Sequence, residues 1–242
     1  MNISLDLIAV IAGYLIGAVS FARLTVKLIN PKVSLDKART FNSESGETGS
    51  ISGIGASTAS IALGTKYGFL VTFLDMLKVF IPTLTLRAMY PNDSAYLLYS
   101  FFAIIGHNWP VYYRFQGGRG LSAMLGSLMA VEPIGAILAV ILGTLTAILI
   151  NYPSSSLILW FPFLTLIIWF MRHDIALIVY SIALPILFIL AEIPDIRLAR
   201  QYQRQGRMDE YNHIILNSSS QMRGMKRLAG ILRFWEKKKE NL

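Results

Sequence analysis

The stretch GHNWPVYYRFQGGRGLSAM, from Gly106 to Met124, separates two long apolar runs of the chain. It gathers histidine, arginine and glycine within a few residues, which predicts a cationic hairpin at the edge of a bilayer core. A membrane-spanning helix needs about 20 apolar residues, with a range of about 17–25. Working outward from the hairpin, we identify seven candidate spans, at 5–25, 67–87, 95–112, 120–132, 134–151, 154–171 and 174–191. We therefore expect an all-α, polytopic integral membrane bundle.

The composition of the 242 residues agrees with a membrane protein, because 54% are hydrophobic and only 15% are charged. Soluble domains average about 45–50% and about 25% on similar counts. The chain has no cysteine, and its three histidines are far apart, so neither a disulfide nor a zinc site is expected. We expect no metal and no cofactor. The net charge of +8 is explained by the positive-inside rule and anionic lipid, so no nucleic-acid partner is expected.

The basic residues set the predicted orientation. Glu132-Pro133 separates the short fourth span from the fifth, because proline cannot continue a helix without a kink or stop. With seven spans, the basic residues of the first loop, the hairpin and the tail all fall on the cytosolic side: Lys27, Lys32, Lys37, Arg39, Lys66, Arg114, Arg119 and the half of the 22 Lys and Arg residues that follow position 191. This predicts a multi-pass protein of the cell (inner) membrane, with its amino terminus outside and its carboxyl terminus in the cytosol.

Two domains are expected, a transmembrane domain over 1–191 and a basic cytosolic or interfacial helical tail over 192–242. Within the tail, 221–235 alternates apolar and basic residues at helical spacing, which fits an amphipathic helix lying on the membrane.

Three polar stretches fall on the predicted cytosolic side. The segment Gly46–Thr58 (GETGSISGIGAST) offers backbone N–H groups and hydroxyls to an anion, or is a flexible linker. The Gly117–Gly120 segment (GGRG) precedes a predicted helix start, where N–H groups and arginine can bind phosphate, or is a turn with a positive-inside arginine. The turn at 151–156 carries three serines, and alone it is an ordinary loop. Together the stretches suggest one site for a phosphate-bearing ligand.

Asp75 and Lys78 lie inside the second predicted span, three residues apart on one helix face. Charges within lipid are rare and usually pair or line a cavity. We expect both side chains to face the bundle interior, either as a structural ion pair or as part of the site.

The segments LIGAVSF (Leu15–Phe21), LGTKYGFLVTFLDMLKV (Leu63–Val79) and the hairpin resemble the bacterial acyl-phosphate-dependent glycerol-3-phosphate acyltransferase family. The GGRG of the hairpin matches the family's GGKG. The resemblance covers residues 10 to about 160 and extends loosely to 191.

This resemblance implies an acyltransferase that moves an acyl chain from acyl phosphate to glycerol 3-phosphate, giving lysophosphatidate for phospholipid synthesis at the cytosolic membrane face. Its expected partners are glycerol 3-phosphate, acyl phosphate and membrane lipids, with no cofactor. The implied catalytic residues are His107, Ser50 and Ser154. The implied phosphate-binding residues are Gly117, Gly118, Arg119, Gly120, Gly49, Gly53 and Gly55.

Departures from the family pattern keep a second function open. The glycine-rich loop lacks the family's asparagines and proline, the family's arginine after that loop is Ile61, and Gln116 replaces a lysine. The family's terminal His-containing stretch reads EIPDIRL here, from Glu192 to Leu198. The alternative is a non-catalytic or differently specific membrane protein that binds a lipid or phospho-ligand on the same scaffold. A small transporter is disfavoured, because no paired broken helices repeat along the chain.

Overall fold

The computed structural model describes residues 3–42, 48–50, 53–149 and 156–211, and these residues are mostly helical. Their helices are α1 (Ile3–Gly17), α2 (Phe21–Ile29), α3 (Leu35–Ala38), α4 (Ala56–Leu63), α5 (Thr65–Met89), α6 (Ala95–Asn108), α7 (Leu121–Val131), α8 (Pro133–Leu149), α9 (Ser156–Arg172) and α10 (Ile175–Arg204). Strands β1 (Thr40–Asn42) and β2 (Thr48–Ser50) form one small antiparallel ladder. The predicted all-α membrane bundle is confirmed.

The long helices alternate in direction, so their connections fall at two ends of the bundle. We call one end the hairpin side; it carries the 109–120 hairpin, the start of α5 and the end of α10. The other end, the opposite side, carries the α5–α6 loop, the α7–α8 junction and the α9–α10 turn. The hairpin is thus separated from the α7–α8 junction by the length of α7.

Several helices have the length and composition of membrane spans. Within the described ranges, three helical stretches meet both criteria: Ile3–Ile29, Thr65–Met89 and Ile175–Arg204. Shorter apolar helices occur at Leu121–Val131, Pro133–Leu149 and Ile158–Arg172. Large apolar side chains such as Phe69, Phe73 and Phe170 are exposed on the bundle surface, as lipid contact requires. The count of seven spans stays a prediction.

The first predicted span, 5–25, is divided between two helices. Helix α1 ends at Gly17, and α2 begins at Phe21 with Ser20 as its N-cap, whose Oγ accepts from the N–H of Arg23 at 3.4 Å. The break releases the carbonyl of Val19, which accepts a hydrogen bond from the ammonium of Lys78 at 2.7 Å. Hydropathy predicts the span but not this break, because it does not register a carbonyl that a buried cation requires.

Small residues let α1 and α6 pack closely. A methyl group added to Gly13 would overlap the backbone of Tyr99, and one added to Gly17 would overlap the backbone of Ala103. Gly106 on α6 makes the reciprocal contact with the backbone of Tyr14. Glycines four residues apart are a common way for membrane helices to approach each other. This packing fixes the end of α6, where His107 lies.

A second, smaller apolar cluster holds the 53–64 segment against the bundle. Its buried members come from α2, α3, α4, α5 and the segment before α4, and they are Ala22, Val26, Leu35, Ile54, Ala59 and Val71. Because Ile54 is part of this cluster, the backbone on both sides of it is held in place beside the hairpin.

The α7–α8 junction occurs at the predicted position. Glu132 ends α7 with its N–H donating to Leu128 at 2.7 Å, and Pro133 is the first residue of α8, where its missing N–H costs nothing. The Glu132 carboxylate accepts from Nε and Nη2 of Arg172 at 2.7 and 3.1 Å. This pair joins the end of α7 to the end of α9.

Helix α10 continues well beyond the predicted end of its span at residue 191. It runs to Arg204 and includes Pro185 and Pro194. The expected boundary at 191/192 therefore lies inside a continuous helix, and the division into two domains stays a prediction. The amphipathic segment 221–235 lies outside the described residues.

Candidate functional site

Three polar side chains meet inside the bundle near the hairpin side, and we call Asp75, Lys78 and His107 the buried polar cluster. The ammonium of Lys78 lies 2.8 Å from the carboxylate of Asp75 and 3.0 Å from Nδ1 of His107. Nδ1 of His107 lies 3.5 Å from the same carboxylate. All three residues are less than a tenth exposed. The spacing of three residues on α5 places Asp75 and Lys78 on one face, turned inward.

The cluster also reaches two backbone segments. Lys78 donates to the carbonyl of Val19, and its own carbonyl accepts from the hydroxyl of Tyr99 at 3.2 Å. Burying an ammonium requires that its donors find acceptors, and here a carboxylate, an imidazole and a carbonyl surround it. The cluster therefore joins α5 and α6 to the break between α1 and α2, directly beneath the hairpin.

The hairpin folds back onto His107. The N–H of Gly118 donates to the carbonyl of His107 at 3.1 Å. A methyl group on Gly118 would overlap Nε2 of His107, and one on Gly117 would overlap the carbonyl of His107. At the hairpin tip, Arg114 and Phe115 have φ angles of 51° and 60°, which few non-glycine residues adopt. Glycine is thus required at positions 117 and 118 by close approach.

The glycine-rich loop meets the hairpin, as the sequence suggested for one joint site. The N–H of Ile54 donates to the carbonyl of Gly117 at 2.7 Å. Gly53, with φ of 92°, lies beside the side chain of Arg119, and its carbonyl accepts from the hydroxyl of Thr58 at 3.0 Å. Gly55 faces the Cα of Gly118. The loop and the hairpin form one backbone surface.

Other predicted site residues are described only in part. Gly49 pairs with Phe41 and Ser50 with Thr40 in the β1–β2 ladder, but the side chain of Ser50 lies outside the described atoms. Ser154 lies in 150–155, outside the described residues.

Arg119 connects the hairpin to α10. Its Nε lies 3.2 Å from a carboxylate oxygen of Glu192, and its Nη2 donates to Asp195. We call these three residues the carboxylate clamp. Sequence reasoning missed both acids as site residues and noted the EIPDIRL stretch only for its missing histidine. The signal was present, because two acids three residues apart after an apolar run mark one helix face.

Tyr211 lies near the clamp, beyond the end of α10. Burial, together with the nearby carboxylate of Asp195, raises the pKa of its hydroxyl to about 12. The ring of Tyr211 packs against that of Tyr202, 5.7 Å away between centroids.

Asn108 is a second site residue that sequence reasoning missed. Its side chain is 3% exposed, and within the described residues neither of its amide atoms has a hydrogen-bond partner. The amide lies against Gly120, which has φ of 79° and precedes the first residue of α7. No side chain of the described residues caps that helix start. An unpaired buried amide beside uncapped N–H groups suits a ligand with oxygen atoms.

The described side chains include no group of three or more His, Cys, Asp or Glu residues that could hold a metal ion. The groups that the described part of the site presents include the Asn108 amide, backbone N–H groups and the partly exposed guanidinium of Arg119. These groups recognise oxyanions by hydrogen bonds.

These features define a polytopic membrane protein with a glycine-rich polar site at one end of its helical bundle. The chain belongs to the glycerol-3-phosphate acyltransferase family, whose sequence profile matches residues 7–201.

Curated relatives with that name support the assignment. The protein of Aquifex aeolicus (strain VF5) is 38% identical over 128 residues, which cover 52% of this chain and 60% of the relative. The protein of Mycoplasma mycoides subsp. mycoides SC is 34% identical over 142 residues, covering 56% of this chain and 50% of the relative. Across the first four curated relatives, the match spans 46% to 60% of the relative's length.

Two crystal structures of PlsY (YgiH), an integral membrane glycerol 3-phosphate acyltransferase, are similar in fold. The glycerol 3-phosphate form matches with a TM-score of 0.66 and 28% identity, over 84% of this chain and 93% of that one. The lysophosphatidic acid form matches with a TM-score of 0.65 and 26% identity, over 85% of this chain and 97% of that one.

Proposed function

We propose that this chain is an acyl-phosphate:glycerol-3-phosphate acyltransferase that makes lysophosphatidate on the cytosolic face of the cell membrane. In this proposal the amino terminus is outside and the hairpin side faces the cytosol. The observation that carries it is the meeting of the hairpin with the Gly53 loop at one bundle end, in a fold similar to the glycerol 3-phosphate form of PlsY.

In the proposed reaction, the sn-1 hydroxyl of glycerol 3-phosphate attacks the acyl carbonyl carbon. The bond between that carbon and the bridging oxygen breaks, and inorganic phosphate leaves with the electron pair and takes up the hydroxyl proton. Because acyl phosphate is already activated, positioning and charge stabilisation can supply much of the rate. No metal or coenzyme A is needed for this step.

We assign distinct roles in this reaction to the predicted site residues and to Asn108. Arg119 and the backbone N–H groups at the start of α7 would hold a phosphate, and the amide of Asn108 would add a hydrogen bond from beneath. His107 would position the hairpin, because its Nε2 lies against Gly118. Ser50 and Ser154 would supply hydroxyls beside the reacting groups, together with the Gly49, Gly53 and Gly55 backbone.

The direct test is an assay of full-length protein in phosphatidylcholine nanodiscs with palmitoyl phosphate and glycerol 3-phosphate. Palmitoyl-coenzyme A serves as the control donor. We expect lysophosphatidate, identified by mass spectrometry, when palmitoyl phosphate is the donor and none when palmitoyl-coenzyme A is the donor. Absence of product with acyl phosphate would overturn the proposal.

A second candidate, a phospho-ligand or lipid binder without acyl transfer, is favoured by one observation. The carboxylates of Glu192 and Asp195 already pair with Arg119. These acids lie in the EIPDIRL stretch, where the family carries His and Asn. This reading predicts measurable binding of glycerol 3-phosphate without turnover of either donor.

A further inference from the structure

The carboxylate clamp puts negative charge where the proposed ligand also carries it. Glu192 and Asp195 lie on one face of α10, and each contacts a different nitrogen of the Arg119 guanidinium. With one cation and two anions, the clamp has a formal charge of minus one. A phosphate that approaches Arg119 therefore meets a guanidinium that is already neutralised.

The two acids are more deeply buried than Arg119. The side chains of Asp195 and Glu192 are 6% and 17% exposed, whereas that of Arg119 is 31% exposed. The carboxylates are shielded from solvent, so their charges are weakly screened, whereas the Arg119 side chain is about a third exposed. A ligand can reach Arg119, but it does so against the field of two nearby acids.

We propose that Glu192 and Asp195 act as an internal anion that competes with the ligand's phosphate for Arg119 and so sets the affinity of the site. The inference rests on the proposed phosphate site. It makes both acids specificity-determining residues, which lower the affinity for a phosphate dianion while leaving that for an uncharged polyol unchanged.

The clamp also gives both acids a partner. An arginine fork can satisfy two carboxylates at once, and the resulting bridge fastens the hairpin to α10. When phosphate takes over the guanidinium, that bridge loosens. Ligand binding and the attachment of the hairpin to α10 therefore compete for Arg119. Neutralising Glu192 and Asp195 should raise the affinity for the ligand.

The test measures binding of glycerol 3-phosphate by isothermal titration calorimetry to the full-length protein in phosphatidylcholine nanodiscs. The variants are Glu192→Gln, Asp195→Asn and the double variant, which remove charge and keep shape. We expect binding about ten- to a hundredfold tighter in the double variant, since hydrogen bonds to charged groups have that worth. Asp209→Asn, an exposed acid after α10, is the matched control and should stay within about twofold of wild type.

Arg119→Ala, introduced into wild type and into the double variant, closes a mutant cycle. We expect it to abolish the gain in affinity, because the gain acts through the guanidinium. Unchanged or weaker binding in the double variant overturns the inference, as does a gain that survives Arg119→Ala or is equalled by Asp209→Asn. If the double variant fails to fold, the two single variants, checked by gel filtration, decide the question in the same way.

The readout is separate from turnover. Tighter binding through Arg119 in a protein that transfers no acyl group would support the clamp and overturn the transferase proposal. Acyl transfer by the wild type, with no change in glycerol 3-phosphate affinity in the Glu192 and Asp195 variants, would support the transferase proposal and overturn the clamp inference.

Discussion

Asp75 and Glu132 are buried carboxylates near opposite ends of the bundle, and their partners differ. Asp75 contacts Lys78 and His107, which in turn bind the broken backbone at Val19 and support the hairpin. Glu132 is held by Arg172 alone among the described side chains, at a helix junction. The contacts of Asp75 and Lys78 with His107 join α5 to α6, and the Glu132–Arg172 pair joins α7 to α9, but only the first set continues into the candidate site. Burial of charge is therefore evidence for function only when the partners lead to a site.

The largest effect is expected at the buried polar cluster. Asp75→Asn or Lys78→Met alone should lower the free energy of unfolding by about 3–5 kcal/mol, because each leaves its partner buried and unpaired. Denaturation of the detergent-solubilised protein measures this, and turnover should fall as well. The double variant should cost less than the sum of the two. If the single variants keep wild-type stability and turnover, the buried polar cluster does not differ in function from the Glu132–Arg172 pair.

The Glu132–Arg172 pair should affect stability alone. Glu132→Gln should lower the free energy of unfolding by about 1.5–3 kcal/mol, the usual worth of hydrogen bonds to charged groups. Arg172→Gln should cost more, because it leaves a carboxylate that is 1% exposed without its counter-ion. Turnover per folded molecule should be unchanged in both. A loss of turnover like that of the Asp75 variant would mean that this end also serves the reaction.

The hairpin links the buried cluster to the site, and Gly118→Ala tests that link. The added methyl overlaps His107, so we expect a loss of about 1–3 kcal/mol in stability and weaker binding of glycerol 3-phosphate. Gly143→Ala is the matched control, because its methyl would overlap Trp160 between α8 and α9, away from the hairpin. The control should lose stability and keep its affinity. Equal affinity loss in both variants would show that the effect is general.

Sequence reasoning predicted features that depend on local chemistry. Apolar runs revealed the helices, Glu132-Pro133 marked a helix end, and the spacing of Asp75 and Lys78 identified an inward face. The glycine-rich loop and the hairpin were expected at one site because both are polar, glycine-rich and on one predicted side. Each of these inferences needs only a short window of sequence.

Features that depend on distant partners were missed. The carbonyl freed by the break at Val19 accepts from Lys78, which is 59 residues away. The clamp joins Arg119 to Asp195, which is 76 residues away. Hydropathy gave the end of the last span at residue 191, although the helix continues to Arg204. Asn108 lies inside the predicted span 95–112, and its local sequence does not mark it as a site residue, because its burial depends on how the hairpin folds back over it.

The smallest effect on stability, and the most informative comparison, is expected at Asn108. Its amide is buried without a partner in the described part of the chain, and such a group costs about 1–3 kcal/mol when nothing binds it. Asn108→Leu removes that cost, so stability should be equal or slightly higher, whereas affinity for glycerol 3-phosphate should fall about tenfold. Thr83→Val is the matched control, because the hydroxyl of Thr83 is also buried and unpaired within the described residues but lies on α5, five residues beyond Lys78 toward the opposite side. The control should likewise be equal or slightly higher in stability, but it should keep its affinity for glycerol 3-phosphate. If Asn108→Leu also keeps its affinity, the amide does not bind the ligand, and phosphate recognition would fall to the hairpin backbone and Arg119.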